Sequence, residues 1–579
     1  MSIENKRHSL SHVLAMAVLE IYPEAKLAIG PAIDNGFYYD FDNLKISDAD
    51  LEKIERHMNQ LIKQNLEFEK YTMGIDEALT KEQDREQIYK MELIDDLKAD
   101  GETEVSYYKL GEFEDLCAGP HLQSTNEIKD KSFKLNKLAG AYWRGSEKNK
   151  MLTRIYGLAF ETRQELEEYI AMMKDAEARD HRKIGKELDL FLSSEEVGKG
   201  LPMLTPKGSV IRMELEKFVI KEEARRGYQR VFTPDIARLE LYKQSGHWDH
   251  YHDSMYSPID IDGEDYMLRP MSCPHHFIMY RSKPHSYREL PIRYAEIAKL
   301  YRKEQSGELS GLIRAMCFSL VDAHIICRED QLEDEFAKVV DLVQYGMKVL
   351  GMKDYSYRFS KWDPKNKEKY VNQPKDWDNA QKAMKNILDK MKLDYVEAED
   401  EAAFYGPKLD VQMKNVNGKE DTLFTVQIDF YMPEKFDLTY VDKAGKEQRP
   451  FIIHRSSIGA IERVMAFLIE QYAGAFPVWL SPVQVKLISV GEGHHKYCQD
   501  LAQEFLDQEI RVEVDDSDET VGNKIRKATT EKVPYVLVIG DKEIESKNLN
   551  VRDRGGKETR EISKKNFFKE VRQKIEHRN

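Results

Sequence analysis

Cysteine is scarce: five residues (Cys117, Cys273, Cys317, Cys327 and Cys498) in a chain of 579. So few, so widely spaced, cannot form a disulfide framework, and a reducing, cytoplasmic setting is expected. Long apolar runs are missing too. No stretch approaches the ~18–20 residues of a membrane span. The start MSIENKRHSLSH has no hydrophobic signal core, so no membrane is expected among the partners. Glycine and proline, at 31 and 19 residues, are too few for a collagen-like or low-complexity chain, and 41% hydrophobic content is too high for a disordered one. There is no GxxxxGK[ST] and no GxGxxG, so any ATP is bound by another scheme. Excess positive charge is also lacking. Lys+Arg 88 against Asp+Glu 103 gives −15, which argues against a wholly basic nucleic-acid coat.

The length suits three to five domains at roughly 150 residues each. The charge is unevenly spread: residues 521–579 hold 16 Lys+Arg and 9 Asp+Glu, a local +7. That is compatible with a polyanion bound at one end, or with a solvated lysine-rich helix face. Leu10, Val13, Leu14, Ala17 and Val18 recur at helical spacing and stop before Pro23. A charged helix is expected near 48–65, and a proline-free stretch from 162 to 192 reads as a connecting helix. Residues 200–478 mix helices with strand-like runs of irregular spacing, which favours α+β with an antiparallel sheet over a doubly wound fold. After Trp479 the text VQVKLISV, YCQDLAQEFLDQ, IRVEVDD, IRKATTEK, PYVLVIG reads β-α-β-α-β, a small α/β domain with a parallel sheet.

Three sets of residues could carry chemistry. His8 and His12 lie four apart on the first helix, on the face opposite its apolar stripe, so both imidazoles should point away from the local core. Cys117 and His121 repeat the spacing in DLCAGPH, beside Asp115. These four could form a zinc site, a metal-free cleft that positions water, or two unrelated pairs. The second set is Cys273, His324 and His454. Separations of 51 and 130 residues fit no zinc ribbon. A catalytic zinc does take three ligands from distant segments; the alternative is buried structural residues. His275 and His276 compete as ligands. The third set is Arg302, Glu304, Arg314, Phe318 and Arg463, guanidiniums suited to a triphosphate with a ring suited to stacking on a purine. Singly, each is ordinary surface charge.

Arg302-x-Glu304, Arg314-x3-Phe318 and Gly459-x-x-Glu462-Arg463 resemble motifs 2 and 3 of the class II aminoacyl-tRNA synthetases. Within that class the chain resembles the threonyl-tRNA synthetases over nearly its whole length. The strings SGHWDHY, RPMSCP, YRKEQSGELSGL, DAHI, AFYGPK, TVQIDF, IHRSSIGAIER and VPYVLVIGDKEIES carry the likeness, with RHSLSHVLA, DLCAGPH and AGAYWRG similar to the family's editing domain. The resemblance implies an editing domain over 1–170, a linker helix over 171–195, a class II catalytic domain over 196–478 and an anticodon-binding domain over 479–579. It begins at the editing domain, so a form without the small ubiquitin-like N-terminal module is expected.

By resemblance, Cys273, His324 and His454 hold one Zn2+ that binds threonine through its amino and hydroxyl groups. Asp322 meets the substrate amine and Tyr405 lines that pocket. Arg302 meets the α-phosphate, Phe318 stacks on adenine, Arg463 clamps the outer phosphates, and Glu304, Arg314 and Gln427 belong to the ATP site. Mg2+ accompanies ATP. Serine differs from threonine by one methyl, worth only about 1–3 kcal/mol of discrimination, so a second, hydrolytic site is expected. His8, His12, Lys90, Asp115, Cys117 and His121 match it, in a site thought to work without zinc. Arg526, Glu543 and Arg552 match anticodon-contacting positions, with Asp518 where Asn is common. The implied partners are tRNA(Thr), L-threonine, ATP and a second copy of the chain, through a motif 1 segment containing Pro234. Several pocket positions depart from the family's pattern: His275, Met316, Cys317, Leu320, Val321, Ala460 and Thr422-Leu423-Phe424. The alternative they raise is a synthetase-derived paralogue with a drifted catalytic pocket, acting in tRNA binding, editing or regulation.

Overall fold

The computed structural model describes residues 2–416, 418–546 and 548–578. The chain divides into two compact units, Met1–Lys174 and Asp175–Asn579.

The first unit is built around the helix Ile3–Ile21, capped by the Ser2 hydroxyl, which accepts from the Asn5 amide at 3.3 Å. The apolar stripe read from the sequence is buried, but so are Lys6, Ser9, Ser11 and His12. The expectation that His8 and His12 point away from the core is therefore corrected: His12 is enclosed and His8 half-buried. One face of the helix packs on Phe37, Tyr39 and Phe41; the other is covered by the chain around Cys117–Leu122, where the Ser9 hydroxyl accepts from the Leu122 amide. A helix between two layers has no solvated side, so periodicity alone misjudges it. Phe37, Tyr39 and Phe41 alternate along the strand Gly36–Asp42, which pairs antiparallel with Met151–Ala159, itself paired with Phe133–Tyr142. A second sheet joins Phe68–Gly74, Glu104–Leu110 and Phe113–Leu116. The charged helix expected near 48–65 runs Asp48–Ile62 and buries Leu51, Ile54, Met58 and Leu61.

The expected connecting helix is two helices, Arg163–Arg179 and His181–Glu187, broken where the Asp180 side chain caps the second. In the second unit an eight-stranded sheet runs in the order Gln229–Arg230, Ile292–Tyr301, Cys317–Cys327, Phe451–Ala460, Glu420–Asp429, Lys408–Lys414, Tyr355–Ser360, Tyr395–Ala398. Its two edge pairings are parallel and the rest antiparallel, as the irregular strand spacing implied. The helices Pro206–Arg225, Leu332–Leu350 and Ile461–Tyr472 contribute to its core. One buried ion cluster ties the first of these to the central strands. Glu223 accepts from Arg455 at 2.7 Å and from Arg230 at 2.9 Å, and the Arg455 guanidinium lies 4.1 Å from the Tyr228 ring centroid.

The C-terminal domain has the expected parallel strands Val485–Ser489, Val512–Asp515 and Tyr535–Ile539. It also has two antiparallel strands, Asn548–Asp553 and Arg560–Ser563, that the alternation did not signal. Among the described residues the five cysteines are free, and no helix is long and apolar enough to cross a membrane.

Gly459 closes the strand that leads into Ile461–Tyr472. Its φ is +86°, and a Cβ there would lie 2.2 Å from the Leu423 carbonyl oxygen of the neighbouring chain segment. Gly459→Ala is expected to destabilise the protein by roughly 1–3 kcal/mol, read as a lower midpoint of urea unfolding.

Candidate functional site

In the large sheet, His324 and His454 are direct register partners on adjacent antiparallel strands, and Gln427 faces His454 from the other side. Cys273 opens the helix Cys273–Arg281 beside them. The ligating atoms of Cys273, His324 and His454 lie within 4.8 Å of one another, and all three residues are buried. Each imidazole has one nitrogen committed elsewhere. His454 Nε2 is 2.6 Å from Asp429 Oδ2, and His324 Nδ1 is 2.7 Å from His276 Nδ1. The remaining nitrogens, with the thiol, form a soft N2S donor set. Burial, reinforced by the neighbouring His454 and His276, keeps the His324 imidazole neutral and so competent as a ligand. Burial also pushes the Cys273 thiol well above its ordinary value, a cost that a divalent cation would offset. The donor set thus fits zinc. His275 and His276 are not in it: His276 sits behind His324, and the His275 ring faces Tyr242 at 6.4 Å.

Asp322 is two residues from His324 along the same strand and so on the same face. Its Oδ2 lies 3.8 Å from His324 Nε2 and accepts from the Ser272 hydroxyl. Burial raises its pKa, and the Ser272 bond pulls the other way. Tyr405 stacks on His454 with ring centroids 4.9 Å apart and donates to Gln427 Oε1. Gln427, assigned by resemblance to the ATP site, therefore lies at the metal end of the cleft.

The arginines follow. The Arg302 guanidinium lies 5.2 Å from the Phe318 ring centroid, with Nη2 3.4 Å from Met271 Sδ. Arg314 is held by Glu304 at 2.7 Å and Glu308 at 3.0 Å. Arg463, at the start of Ile461–Tyr472, donates Nε to the Ile313 carbonyl at 3.0 Å and Nη1 to the Thr422 carbonyl at 2.6 Å. These groups bring cationic donors and an aromatic face close to the metal end, the furniture for a nucleotide and a small amino acid. Leu320 and Ala460, two of the departures from the family's pattern, are register partners there.

A second cluster forms in the first unit. The donor atoms of His8, His12, Cys117 and His121 lie within 4.8 Å of one another. The Cys117 thiol is 3.4 Å from His8 Nε2 and 3.3 Å from His121 Nε2. Burial lowers the pKa of His8, His12 and His121, and pushes the Cys117 thiol up to about 11. A neutral imidazole has one nitrogen free to accept a hydrogen bond from water. Beneath them Asp115 is salt-bridged to Lys90 at 2.6 Å and accepts from Tyr39 Oη at 2.5 Å, with His12 Nε2 at 4.0 Å. All six residues matched by resemblance therefore converge. Tyr39 was missed. Only its place in the inward-facing alternation Phe37, Tyr39, Phe41 marks it.

In the C-terminal domain Arg526 is exposed on the helix Val521–Thr530 and donates to Asn523 Oδ1. Arg552 donates to the Lys557 carbonyl. Glu543 accepts from the Gly540 amide and from Asn550. The three lie on separate elements, and Asp518 is exposed just before the helix.

Residues 256–472 match the tRNA synthetase class II core domain (G, H, P, S and T), 484–574 the anticodon binding domain, and 105–156 the threonyl and alanyl tRNA synthetase second additional domain. The chain is 54% identical to a threonine–tRNA ligase of Clostridium botulinum (strain Alaska E43 / Type E3) over 553 residues, covering 95% of this chain and 85% of that one. The chain belongs to the threonine–tRNA ligase family. A second member, from Geobacillus kaustophilus, is 48% identical over 564 residues, covering 97% of this chain and 86% of its own. Among solved structures, the RNA binding domain of threonyl-tRNA synthetase from Cryptosporidium parvum Iowa II matches with a TM-score of 0.65 and 32% identity, over 68% of this chain and 98% of its own. The class II core match contains Cys273, His324 and His454, and the second additional domain match contains Asp115, Cys117 and His121.

Lys90 and Asp115 are both almost fully buried. Lys90→Met leaves the carboxylate without its cation and is expected to cost about 3–5 kcal/mol of stability. Urea unfolding monitored by circular dichroism measures it.

Proposed function

We propose that the chain joins L-threonine to tRNA(Thr) in two steps, forming threonyl-adenylate from ATP with Mg2+, and hydrolyses mischarged seryl-tRNA(Thr) at its N-terminal cluster. The observation that carries this reading is the convergence of Cys273, His324 and His454 beside Asp322, Tyr405 and Arg302, within a threonine–tRNA ligase fold. A zinc ion held by the thiol and the two free imidazole nitrogens supplies a Lewis-acid anchor for an amine and a β-hydroxyl. Valine, with a methyl in place of that hydroxyl, is poorly accommodated.

The chain's own residues do the rest. Asp322, oriented by Ser272, accepts the substrate ammonium, and Tyr405 walls the side-chain pocket. Arg302 faces the α-phosphate, where charge builds as the threonine carboxylate attacks and pyrophosphate leaves. Phe318 offers its ring to adenine, while Arg314 and Arg463 take the outer phosphates and Glu304 completes the ATP site; Gln427, bonded to Tyr405, serves the metal end. At the N-terminal cluster the neutral imidazoles of His8, His12 and His121 orient the attacking water by hydrogen bonding, with Cys117 beside them. The Lys90–Asp115 pair keeps the floor of the site neutral; in this reading the cluster works without metal. Arg526, Glu543 and Arg552 read exposed anticodon bases by hydrogen bonding and stacking. The free cysteines support a cytoplasmic setting. Phe232, 87% exposed in the segment that also holds Pro234, supports a homodimer.

Threonine-dependent ATP–pyrophosphate exchange tests the ligase reading; no exchange from zinc-loaded protein favours a paralogue with a drifted pocket. Cys273→Ser is expected to abolish that exchange and to spare hydrolysis of seryl-tRNA(Thr). Zinc content should be one per chain, lost in Cys273→Ser and unchanged in Cys117→Ser. Loss of both activities in Cys273→Ser would count against separate sites.

A further inference from the structure

Behind His324 lies a buried polar chain that neither the sequence motifs nor the family match assigns. His276 places Nδ1 2.7 Å from His324 Nδ1 and Nε2 3.2 Å from Glu296 Oε2. His276 is fully enclosed and Glu296 is 3% exposed. Glu296 lies directly opposite Asp322 in the ladder, on the strand Ile292–Tyr301. Its carboxylate is well supplied with donors. Oε1 accepts from the Thr233 amide at 3.1 Å and from Arg269 Nη1 at 3.3 Å, and Oε2 accepts from the Thr233 hydroxyl at 2.8 Å. Arg269 is itself clamped to Thr233, to the Lys299 carbonyl and to Asp235. Burial alone would push the Glu296 carboxyl up, but the His276 and Thr233 bonds and the Arg269 charge hold it at about 2.

An ionised carboxylate can only accept, so His276 must present Nε2–H to it. The 2.7 Å contact between the two Nδ1 atoms holds one proton, and with the His276 proton on Nε2 it is His324 that donates from Nδ1. That leaves His324 Nε2 with a free lone pair, on the side of Asp322 and the donor set. Were the relay reversed, His276 would donate from Nδ1, and His324 Nε2 would hold the proton and could not ligate. We propose that Glu296 and His276 are positioning residues that fix the tautomer and ring orientation of His324 for metal binding. The inference rests on the reading of Cys273, His324 and His454 as metal ligands. The Thr233–Asp235 segment is wired into the same relay through Glu296 and Arg269. The relay therefore anchors the ligand to the sheet and to the turn beside Phe232 together.

The test uses the full chain, stripped with EDTA and checked for folding by far-UV circular dichroism. Zinc affinity is read by competition with a chromogenic chelator, and the visible spectrum is recorded with Co2+ in place of zinc. In Glu296→Gln the amide nitrogen that replaces Oε2 donates to His276 Nε2 and reverses the relay, so zinc affinity should fall 10–100-fold and the cobalt spectrum should change. Two variants of His276 separate positioning from packing. His276→Asn keeps a carbonyl level with Nδ1 and should bind zinc close to wild type. His276→Gln, which reaches toward Glu296 but not His324, should lose affinity as Glu296→Gln does. Equal affinity in both His276 variants overturns the relay, whether or not Glu296→Gln folds. Wild-type protein that takes up no zinc sensitive to Cys273→Ser overturns the metal reading itself, and this inference with it.

Discussion

Register between two antiparallel strands is the constraint from which the catalytic cleft follows. Because Cys317–Cys327 and Phe451–Ala460 pair with His324 opposite His454, two imidazoles separated by 130 residues face one another across a few ångströms. The same ladder sets Asp322 on their face, two positions along. The third strand brings Gln427 against His454, and the neighbouring strand on the other side brings Glu296 opposite Asp322. A slip of one residue would turn every one of these side chains to the opposite face. The buried Glu223–Arg455 pair, one residue from His454, guards against such a slip, since a displaced Arg455 would leave both charges enclosed without partners.

The two reactive clusters use burial in different ways. Around Cys273 burial penalises an ionised thiol, Asp322 and Asp429 lie close by, and His247 Nε2 is 3.9 Å from the sulfur. Around Cys117 the thiol already has imidazole partners on both sides, and the nearby carboxylate is matched by Lys90. What differs is the carboxylate: Asp115 is paired with Lys90, whereas Asp322 accepts from a neutral serine hydroxyl. That contrast is the physical ground for giving them different chemistry.

Much of this was legible in the sequence. The first helix, the antiparallel core and the β-α-β-α-β tail follow from periodicity and turn residues. The residues of both clusters and the arginines were picked out by ordered motifs, and the structure brings each cluster together. What was not legible has a common cause. His12 faces inward because a second layer covers the far side of its helix, and no periodicity records a second layer. Tyr39 beneath Asp115, Asp429 behind His454 and Glu296 behind His276 are supporting residues joined to their partners only by tertiary contact. His276, weighed from spacing as a rival ligand, lies against His324 instead. The two antiparallel strands that follow Tyr535–Ile539 are short and largely polar, and the apolar alternation of the first rests on Leu549 and Val551 alone.

Arg314 is already paired with Glu304 and Glu308, and Arg463 already spends two donors on backbone carbonyls. A triphosphate arriving there does not meet bare cations. At Arg314 it would trade places with Glu304 and Glu308, so part of its attraction would go to displacing them and the net gain would be modest. Such an exchange would disfavour a stray anion at one arginine and reward a ligand that engages several of them at once.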